Sequence, residues 1–218
     1  MNAVVVVAGG SGRRMGGTVP KQYLELKGKA VLIHTLERFY TYDPQIKIVL
    51  VLAAAHLNLW EKIASSSQAA RLTEVVTGGE TRHDSVRNGL KMIPDSCIVG
   101  IHDAVRPLVS QETIKRCYSA ALDSGSGIPV LEMEESVRMI SEGGSANLER
   151  ANLRRVQTPQ VFRSEQIRVA YDSCNKTSLT DDASVYESVH GQVTLVEGNP
   201  ENIKITKAID LDLASLII

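Results

Sequence analysis

The sequence has almost no net charge, few cysteines and no long apolar run, and each shortage excludes a class of protein. Its 218 residues carry a formal net charge of −1, whereas nucleic-acid-binding domains are usually strongly basic. The three cysteines, Cys97, Cys117 and Cys174, lie far apart and form no Cys-x-x-Cys pair. We therefore expect reduced thiols, no zinc or redox pair, and no nucleic-acid partner.

The apolar segments are also too short to enter a membrane. The first of them, residues 3–8, starts close to Met1 without a basic leader. It is shorter than a signal-peptide core or a membrane span. We expect a cytoplasmic protein without membrane contact.

The sequence does contain short apolar runs that alternate with stretches of helical period, a pattern that predicts an α/β fold with a mostly parallel sheet covered by helices. Hydrophobic residues make up 43% of the chain, which is enough for one domain over residues 1–218. Ser110 and Ser164 are placed to cap helices. Strands are predicted at residues 3–8, 47–53, 73–77, 97–102, 127–131 and 192–197.

Residues 132–155 break this pattern, and this segment is called the arm below. The arm is polar, and its alternating residues around Gly143 and Gly144 predict a hairpin that turns at the glycines. Such a hairpin projects from the main body and exposes strand edges and some apolar side chains. We expect a partner chain to cover it.

A glycine-rich loop follows the first predicted strand. Five glycines occur among residues 9–17, together with two arginines, and Lys21 follows shortly afterwards. Glycine allows backbone N–H groups to turn inward on phosphate oxygens, and the basic side chains supply positive charge. Met15 excludes the dinucleotide-binding fingerprint, and Thr18 stands where a P-loop requires lysine. The loop is therefore predicted to hold phosphates in another way.

This loop and the segments after it resemble a known family. The loop is similar to that of sugar and polyol phosphate nucleotidyltransferases, and the order of the later motifs is similar to that of the 2-C-methyl-D-erythritol 4-phosphate cytidylyltransferases. The motifs are Ala8-Gly9-Gly10-Ser11-Gly12-x-Arg14-Met15, Pro20-Lys21-Gln22-Tyr23, Gly78-Gly79-Glu80-Thr81-Arg82-His83-Asp84-Ser85-Val86, His102-Asp103-Ala104-Val105-Arg106-Pro107, Thr158-Pro159-Gln160-Val161-Phe162, Thr180-Asp181-Asp182-Ala183-Ser184 and Asn202-Ile203-Lys204-Ile205-Thr206.

The resemblance covers nearly the whole chain and implies both a fold and an activity. The implied fold is a Rossmann-like sheet of the nucleotide-diphospho-sugar transferase type. The implied reaction transfers a cytidylyl group from CTP to 2-C-methyl-D-erythritol 4-phosphate, with release of pyrophosphate and with Mg²⁺ as cofactor, in isoprenoid precursor biosynthesis.

The resemblance also implies a nucleotide site. Arg14 and Lys21 would contact the triphosphate and stabilise the transition state as catalytic residues. Cytosine would be distinguished from uracil by fixed hydrogen-bonding groups. The nucleotide-binding residues would be Ala8, Gly9, Gly10, Gly12 and Ala104, with Gly79, Glu80, Arg82 and Ser85 lining the cytosine pocket.

Asp103 directly follows a predicted strand, at the edge where open α/β sheets bind ligands. A carboxylate there suits Mg²⁺ shared with phosphates, and it equally suits substrate hydroxyls, so both roles stay open. His102 is expected to be structural rather than a general base.

The acceptor site would combine several segments by the same resemblance. Arg150 and Lys204 would take part in catalysis, and Ser136 stands where the family usually has threonine. Because Ser136 and Arg150 lie in the arm, which in the family reaches across a homodimer, each site would include residues of two chains. The full set around the polyol phosphate would be Asp103, Arg106, Ser136, Arg150, Thr158, Thr180 and Lys204.

Two alternatives remain. A ribitol-5-phosphate cytidylyltransferase would share the fold, the loop and the chemistry. A non-catalytic nucleotide sensor would share only the fold, and it would not need Arg14, Lys21, Asp103 and Lys204 in separate segments.

Overall fold

Short strands and amphipathic helices alternate in the computed structural model, which describes residues 1–9, 19–174 and 179–218. None of the described helices is long and apolar enough to cross a membrane. The strands are β1 Asn2–Ala8, β2 Glu25–Leu26, β3 Lys29–Ala30, β4 Lys47–Leu52, β5 Glu74–Thr77, β6 Ile98–Asp103, β7 Ser126–Glu132, β8 Val137–Ser141, β9 Gly144–Leu148, β10 Arg154–Val156, β11 Gln160–Arg163 and β12 Leu195–Glu197. The α-helices are α1 Val31–Tyr42, α2 Leu57–Ile63, α3 Gln68–Arg71, α4 Arg82–Leu90, α5 Gln111–Ser124, α6 Ser164–Ser173, α7 Asp182–His190 and α8 Ala208–Ile217.

Within the described ranges, eight strands form one mixed sheet in the order β10-β7-β11-β6-β1-β4-β5, with β12 beside β7. β1 runs parallel to both β4 and β6, and β4 runs parallel to β5. β11 is antiparallel to its neighbours β6 and β7. Because the parallel strands end at the same edge of the sheet, Ala8, Thr77 and Asp103 lie along one side of the molecule. The α/β fold class is confirmed.

Hydrophobic cores cover both faces of this sheet. On β1, Val4 and Val6 pack in the core that includes residues of α1 and α5, while Val5 packs in the core that includes residues of α4 and α6. All three valines are fully buried. Burial on both faces explains why the strand reads as one continuous apolar run, and each such side chain contributes roughly 1.5 to 3 kcal/mol relative to its exposed state.

The arm contains a separate two-stranded sheet. β8 and β9 pair antiparallel from Val137 opposite Leu148 to Ser141 opposite Gly144, so the chain turns between the last two. The predicted hairpin at the glycines is confirmed. In the single chain Ile140 is 76% exposed, which leaves an apolar side chain of the arm in solvent.

One of the two predicted helix caps is confirmed and the other is wrong. The Ser110 side chain accepts a hydrogen bond from the Thr113 N–H and caps α5. Ser164, by contrast, is the first residue of α6, which Arg163 precedes as N-cap. The Ser164 hydroxyl accepts a hydrogen bond from the Cys97 N–H at 3.2 Å instead. The Ser164 hydroxyl is therefore hydrogen-bonded to Cys97, which directly precedes β6, and it does not form the helix cap that the sequence predicted.

Candidate nucleotide-binding and active site

A cavity of about 450 Å³ opens at the edge of the sheet where β1, β5 and β6 end. Most of its wall consists of residues that the sequence predicted for the site: Ala8, Gly9, Lys21, Gly79, Glu80, Arg82, Ser85, Asp103, Ala104 and Lys204. Val7, Gln22, Thr81 and Val105 also line it and were not predicted. The predicted residues Gly10, Gly12 and Arg14 lie outside the described residues.

Gln22 fastens the Lys21 turn to the end of β1. Its side chain is 2% exposed, and Nε2 donates a hydrogen bond to the Ala8 carbonyl at 2.8 Å. Lys21 begins the short 3-10 turn Lys21–Tyr23 and is thereby held at the cavity. The motif Pro20-Lys21-Gln22-Tyr23 contained this residue, but sequence reasoning gave a role to its lysine alone.

The opposite wall is the turn that leads into α4. Thr81 and Asp84 form a reciprocal capping box, in which each side chain accepts from the backbone N–H of the other. The Gly79 N–H donates to Ser85 Oγ at 3.1 Å, so the Ser85 hydroxyl hydrogen is available to another acceptor. A Cβ added to Gly79 would lie 2.3 Å from the Asp84 Cβ. The chain therefore needs glycine at this position to keep the wall of the cavity.

Arg82 on this wall is held from behind by Asp182. Arg82 Nη1 and Nη2 donate to the two carboxylate oxygens of Asp182, each at 2.7 Å. Burial by itself lowers the pKa of Arg82, but the charge and hydrogen bonds of Asp182, together with the charges of Asp103 and Tyr171, raise the pKa above its ordinary value. Sequence reasoning missed Asp182, although the motif Thr180-Asp181-Asp182-Ala183-Ser184 contained it.

Asp103, Arg106 and Lys204 form what we call the Asp103 cluster. Asp103 Oδ2 accepts from Lys204 Nζ at 2.9 Å and from Arg106 Nε at 3.3 Å. Burial by itself raises the pKa of Asp103, but the charges of Lys204, Arg82 and Arg106 lower it well below its usual value. Asp103 is therefore a carboxylate at neutral pH, and it holds two cations, of which Lys204 lines the cavity.

A chain of hydrogen bonds lies beneath Asp103. The Asp103 N–H donates to Thr158 Oγ1 at 3.1 Å, and Thr158 Oγ1 lies 3.0 Å from His102 Nδ1. His102 Nε2 lies 3.1 Å from the Arg106 carbonyl. Since a carbonyl only accepts, Nε2 carries the proton, Nδ1 accepts, and the Thr158 hydroxyl donates to it. Burial lowers the pKa of His102 to about 4, so the ring is neutral at neutral pH.

This chain of hydrogen bonds bears on two sequence predictions. His102 is fully buried and both ring nitrogens have partners, which supports its expected structural role. Thr158 is 6% exposed and its hydroxyl is engaged on both sides. The structure thus places Thr158 under the site, and its direct contact with a substrate stays a prediction.

The remaining predicted acceptor residues lie away from this cavity in the described part of the single chain. Ser136 and Arg150 line a separate recess of about 140 Å³ in the arm. Arg150 Nη1 donates to the Glu134 carbonyl at 2.5 Å. Thr180 is exposed just before α7. Their roles in the site stay predictions.

The arrangement suits an anionic ligand with several charges. Lys21, Arg82 and Lys204 reach the cavity wall from three separate segments, and Asp103 and Glu80 are its carboxylates. Within the described residues, no three His, Cys, Asp or Glu side chains come together as a metal site. Fixed cations around a cavity are what a phosphate-transferring site uses to screen charge.

Comparison with known proteins agrees with this geometry. Residues 2–218 match the family model described as IspD, 2-C-methyl-D-erythritol 4-phosphate cytidylyltransferase. A relative of that name from Porphyromonas gingivalis is 46% identical over 98% of this chain and 96% of its own length, and one from Phocaeicola vulgatus is 43% identical over 99% and 98%.

A solved structure extends the comparison to the fold. The 4-diphosphocytidyl-2C-methyl-D-erythritol synthase of Anaerococcus prevotii superposes with a TM-score of 0.86 at 25% identity, over 100% of this chain and 95% of that one. Sequence and structure therefore agree over nearly the full length, and the chain belongs to the 2-C-methyl-D-erythritol 4-phosphate cytidylyltransferase family.

Proposed function

We propose that the chain transfers the cytidylyl group of CTP to 2-C-methyl-D-erythritol 4-phosphate and releases pyrophosphate, in the cytoplasm. The observation that carries the proposal is the convergence of Lys21, Arg82, Asp103 and Lys204 on one cavity. Family membership favours methylerythritol phosphate over ribitol phosphate as acceptor. The free thiols Cys97, Cys117 and Cys174 fit a reducing compartment.

The reaction needs charge screening rather than a base. The attacking group is an ionised phosphate monoester, so no proton has to be removed before it reaches the α-phosphorus of CTP. In this proposal Lys21, at the β1 edge, offsets the triphosphate charge that develops in the transition state. Lys204 and Arg106, held on Asp103, receive the acceptor phosphate at the other end of the cavity. Removing one preorganised charge of this kind costs ~3 to 4 kcal/mol of barrier.

Mg²⁺ belongs to the proposal as a partner of the triphosphate, where it supplies positive charge shared among phosphate oxygens. Asp103 is the residue placed to approach it. One Asp103 oxygen already accepts from Lys204 and Arg106, so the carboxylate fits as one ligand among substrate oxygens and water rather than as the centre of a protein site.

The cavity wall around Gly79 and Ser85 would select cytosine over other bases. The Ser85 hydroxyl accepts from the Gly79 N–H and keeps its own hydrogen for a base carbonyl or ring nitrogen. A pocket of fixed donors and acceptors rejects uracil because its edge reverses the pattern.

A paired assay tests the function. Pyrophosphate release is measured with CTP and methylerythritol 4-phosphate, with ribitol 5-phosphate in place of the acceptor, and with UTP in place of CTP. We expect turnover in the first mixture only. Faster turnover with ribitol 5-phosphate would overturn the acceptor, and equal turnover with UTP would overturn the role of the Ser85 wall.

We also propose that two chains form the site through the arm. Ser136 and Arg150 lie in the arm, away from the cavity of their own chain, and Met139 and Ile140 of β8 are more than half exposed. A second copy that covers these side chains would bring the arm residues of one chain toward the cavity of the other.

Mixed dimers test this arrangement. Lys21→Ala and Arg150→Ala chains are each expected to be inactive alone. Chains mixed by joint refolding should regain about a quarter of the activity, since about half of the dimers are hybrids and each hybrid has one intact site. No recovery in dimers shown to be hybrid would place Arg150 in the site of its own chain, and a monomer in solution would overturn the dimer.

A further inference from the structure

Asp182 lies outside the cavity and has no part in the function proposed so far. Its side chain is fully buried, whereas that of Arg82 is 35% exposed. The two carboxylate oxygens take the two terminal nitrogens of Arg82 in a parallel pair of hydrogen bonds. The Tyr171 hydroxyl donates to Oδ1 of the same carboxylate at 2.5 Å. Asp182 thus holds Arg82 from the buried side and leaves its other side at the cavity.

The positions of both residues in their helices explain why the pair is needed. Arg82 is the first residue of α4, and a cation near a helix N-terminus is disfavoured by the helix dipole. Asp182 is the first residue of α7, where the dipole favours a negative charge. A buried carboxylate is tolerated only when it is paired and hydrogen-bonded, and Arg82 and Tyr171 meet that condition.

Within the described residues, the hydrogen bonds to Asp182 occupy only part of the donor capacity of Arg82, whose side chain also interacts with the Tyr171 hydroxyl. A guanidinium carries five N–H groups in a fixed plane, and the Asp182 pair takes two of them. The charge of Arg82 also acts on Asp103, whose pKa it helps to lower. Arg82 therefore stands between the Ser85 wall and the Asp103 cluster, with N–H groups left for the acceptor oxygens of a ligand.

We propose that Asp182 is a positioning residue for nucleotide binding: it fixes the Arg82 guanidinium so that its remaining N–H groups and its charge face the bound nucleotide. The inference rests on the proposed function, because the ligand is taken to be CTP. Asp182 acts only through Arg82, and Tyr171 sets the orientation of the carboxylate. The effect of changing Asp182 must then vanish once Arg82 can no longer bind.

Calorimetric titration with CTP and Mg²⁺ tests this dependence. Partners that orient ligand-binding groups contribute ~10- to 100-fold in metal sites, and we expect Asp182→Asn to weaken CTP binding by at least about tenfold. Arg82→Met should weaken it as well. The double variant should bind CTP within about twofold of Arg82→Met alone, since coupled residues are not additive. Full additivity, or unchanged binding by Asp182→Asn, would overturn the inference.

Two further sets of variants separate positioning from stability. Tyr171→Phe keeps the charge pair and removes one hydrogen bond, so we expect a smaller loss of CTP affinity than in Asp182→Asn. In the Arg82→Met background this loss should be absent. Tyr171→Phe replaces Asp182→Asn in the test if the latter variant does not fold. Arg87 and Asp172 form a second, exposed pair at 3.4 Å. Their double replacement, Arg87→Met with Asp172→Asn, should leave CTP affinity unchanged. Failure of the unsubstituted chain to bind CTP would instead overturn the proposed function.

Discussion

Replacing Thr158 by valine distinguishes two roles of its hydroxyl, one in stabilising the fold and one in binding the substrate. Valine keeps the shape of threonine and removes the hydroxyl. The change leaves the buried Asp103 N–H and His102 Nδ1 without the partners they have now, at 3.1 and 3.0 Å. Each unsatisfied buried group costs about 1 to 3 kcal/mol, so the free energy of unfolding should fall by roughly 2 to 6 kcal/mol.

Thermal unfolding measures this loss. For a chain of this size, 1 kcal/mol corresponds to ~2 to 4 °C, so Tm should fall by roughly 4 to 24 °C in Thr158→Val. Thr158→Ser is the matched control, because it keeps the hydroxyl and loses one methyl group, worth ~1 kcal/mol. A Thr158→Val variant with unchanged Tm and a raised KM for the acceptor would refute the structural account and restore direct substrate contact.

Four other substitutions test the site. Lys21→Ala and Lys204→Ala should each fold normally, by circular dichroism and Tm, and lose at least ~100-fold in turnover; near-normal kcat would remove that lysine from the mechanism. The folded pKa of His102 lies at about 4, below the ordinary 6.5, so the unfolded chain takes up the proton first. Protonation of His102 in the unfolded chain should therefore lower the free energy of unfolding by about 3 kcal/mol between pH 6.5 and 4. In His102→Asn, the free energy of unfolding measured by urea titration should lack this part of its pH dependence. Gly79→Ala places its Cβ 2.3 Å from that of Asp84 and should abolish CTP binding in calorimetry, whereas retained affinity would show that the wall adapts.

The central strands β1, β4 and β6 were predictable because most of their residues are buried. Each of the six predicted strands is present, with ends that differ by at most a few residues, as β1 Asn2–Ala8 and β7 Ser126–Glu132 illustrate. A central strand must be apolar throughout, and this leaves a local signal that needs no knowledge of the partner strand. Stretches of helical period were visible between the strands for the equivalent reason, since a helix with one buried face repeats its apolar residues at helical spacing.

β11 was not predicted although it lies inside the sheet. It spans four residues, Gln160–Arg163, and only Val161 and Phe162 at its centre are apolar. Its place depends on antiparallel pairing with β6 and β7, strands that are distant along the chain. A pairing of this kind leaves no periodic pattern in so short a segment.

The residues of the site were likewise predictable only where a local pattern marked them. Asp103 and the glycine-rich loop were found because a strand end is a local feature, whereas the residues around Gly79 were predicted from the family resemblance. Asp182 was missed because its role depends on Arg82, which is 100 positions away in sequence. Polar contacts between distant segments leave no spacing in a single sequence, and those contacts orient the groups that line the cavity.

Asp103 shows how such contacts change an interpretation. From the sequence, a carboxylate at a strand end suited metal or substrate equally. In the structure, Oδ2 accepts from both Lys204 and Arg106, and the low pKa of Asp103 reflects these cations together with Arg82. A metal ion at this carboxylate would be repelled by neighbouring positive charge unless phosphates accompanied it. Under the proposed function, Mg²⁺ would approach this carboxylate together with the triphosphate, while Asp103 would hold Lys204 and Arg106 for the acceptor phosphate.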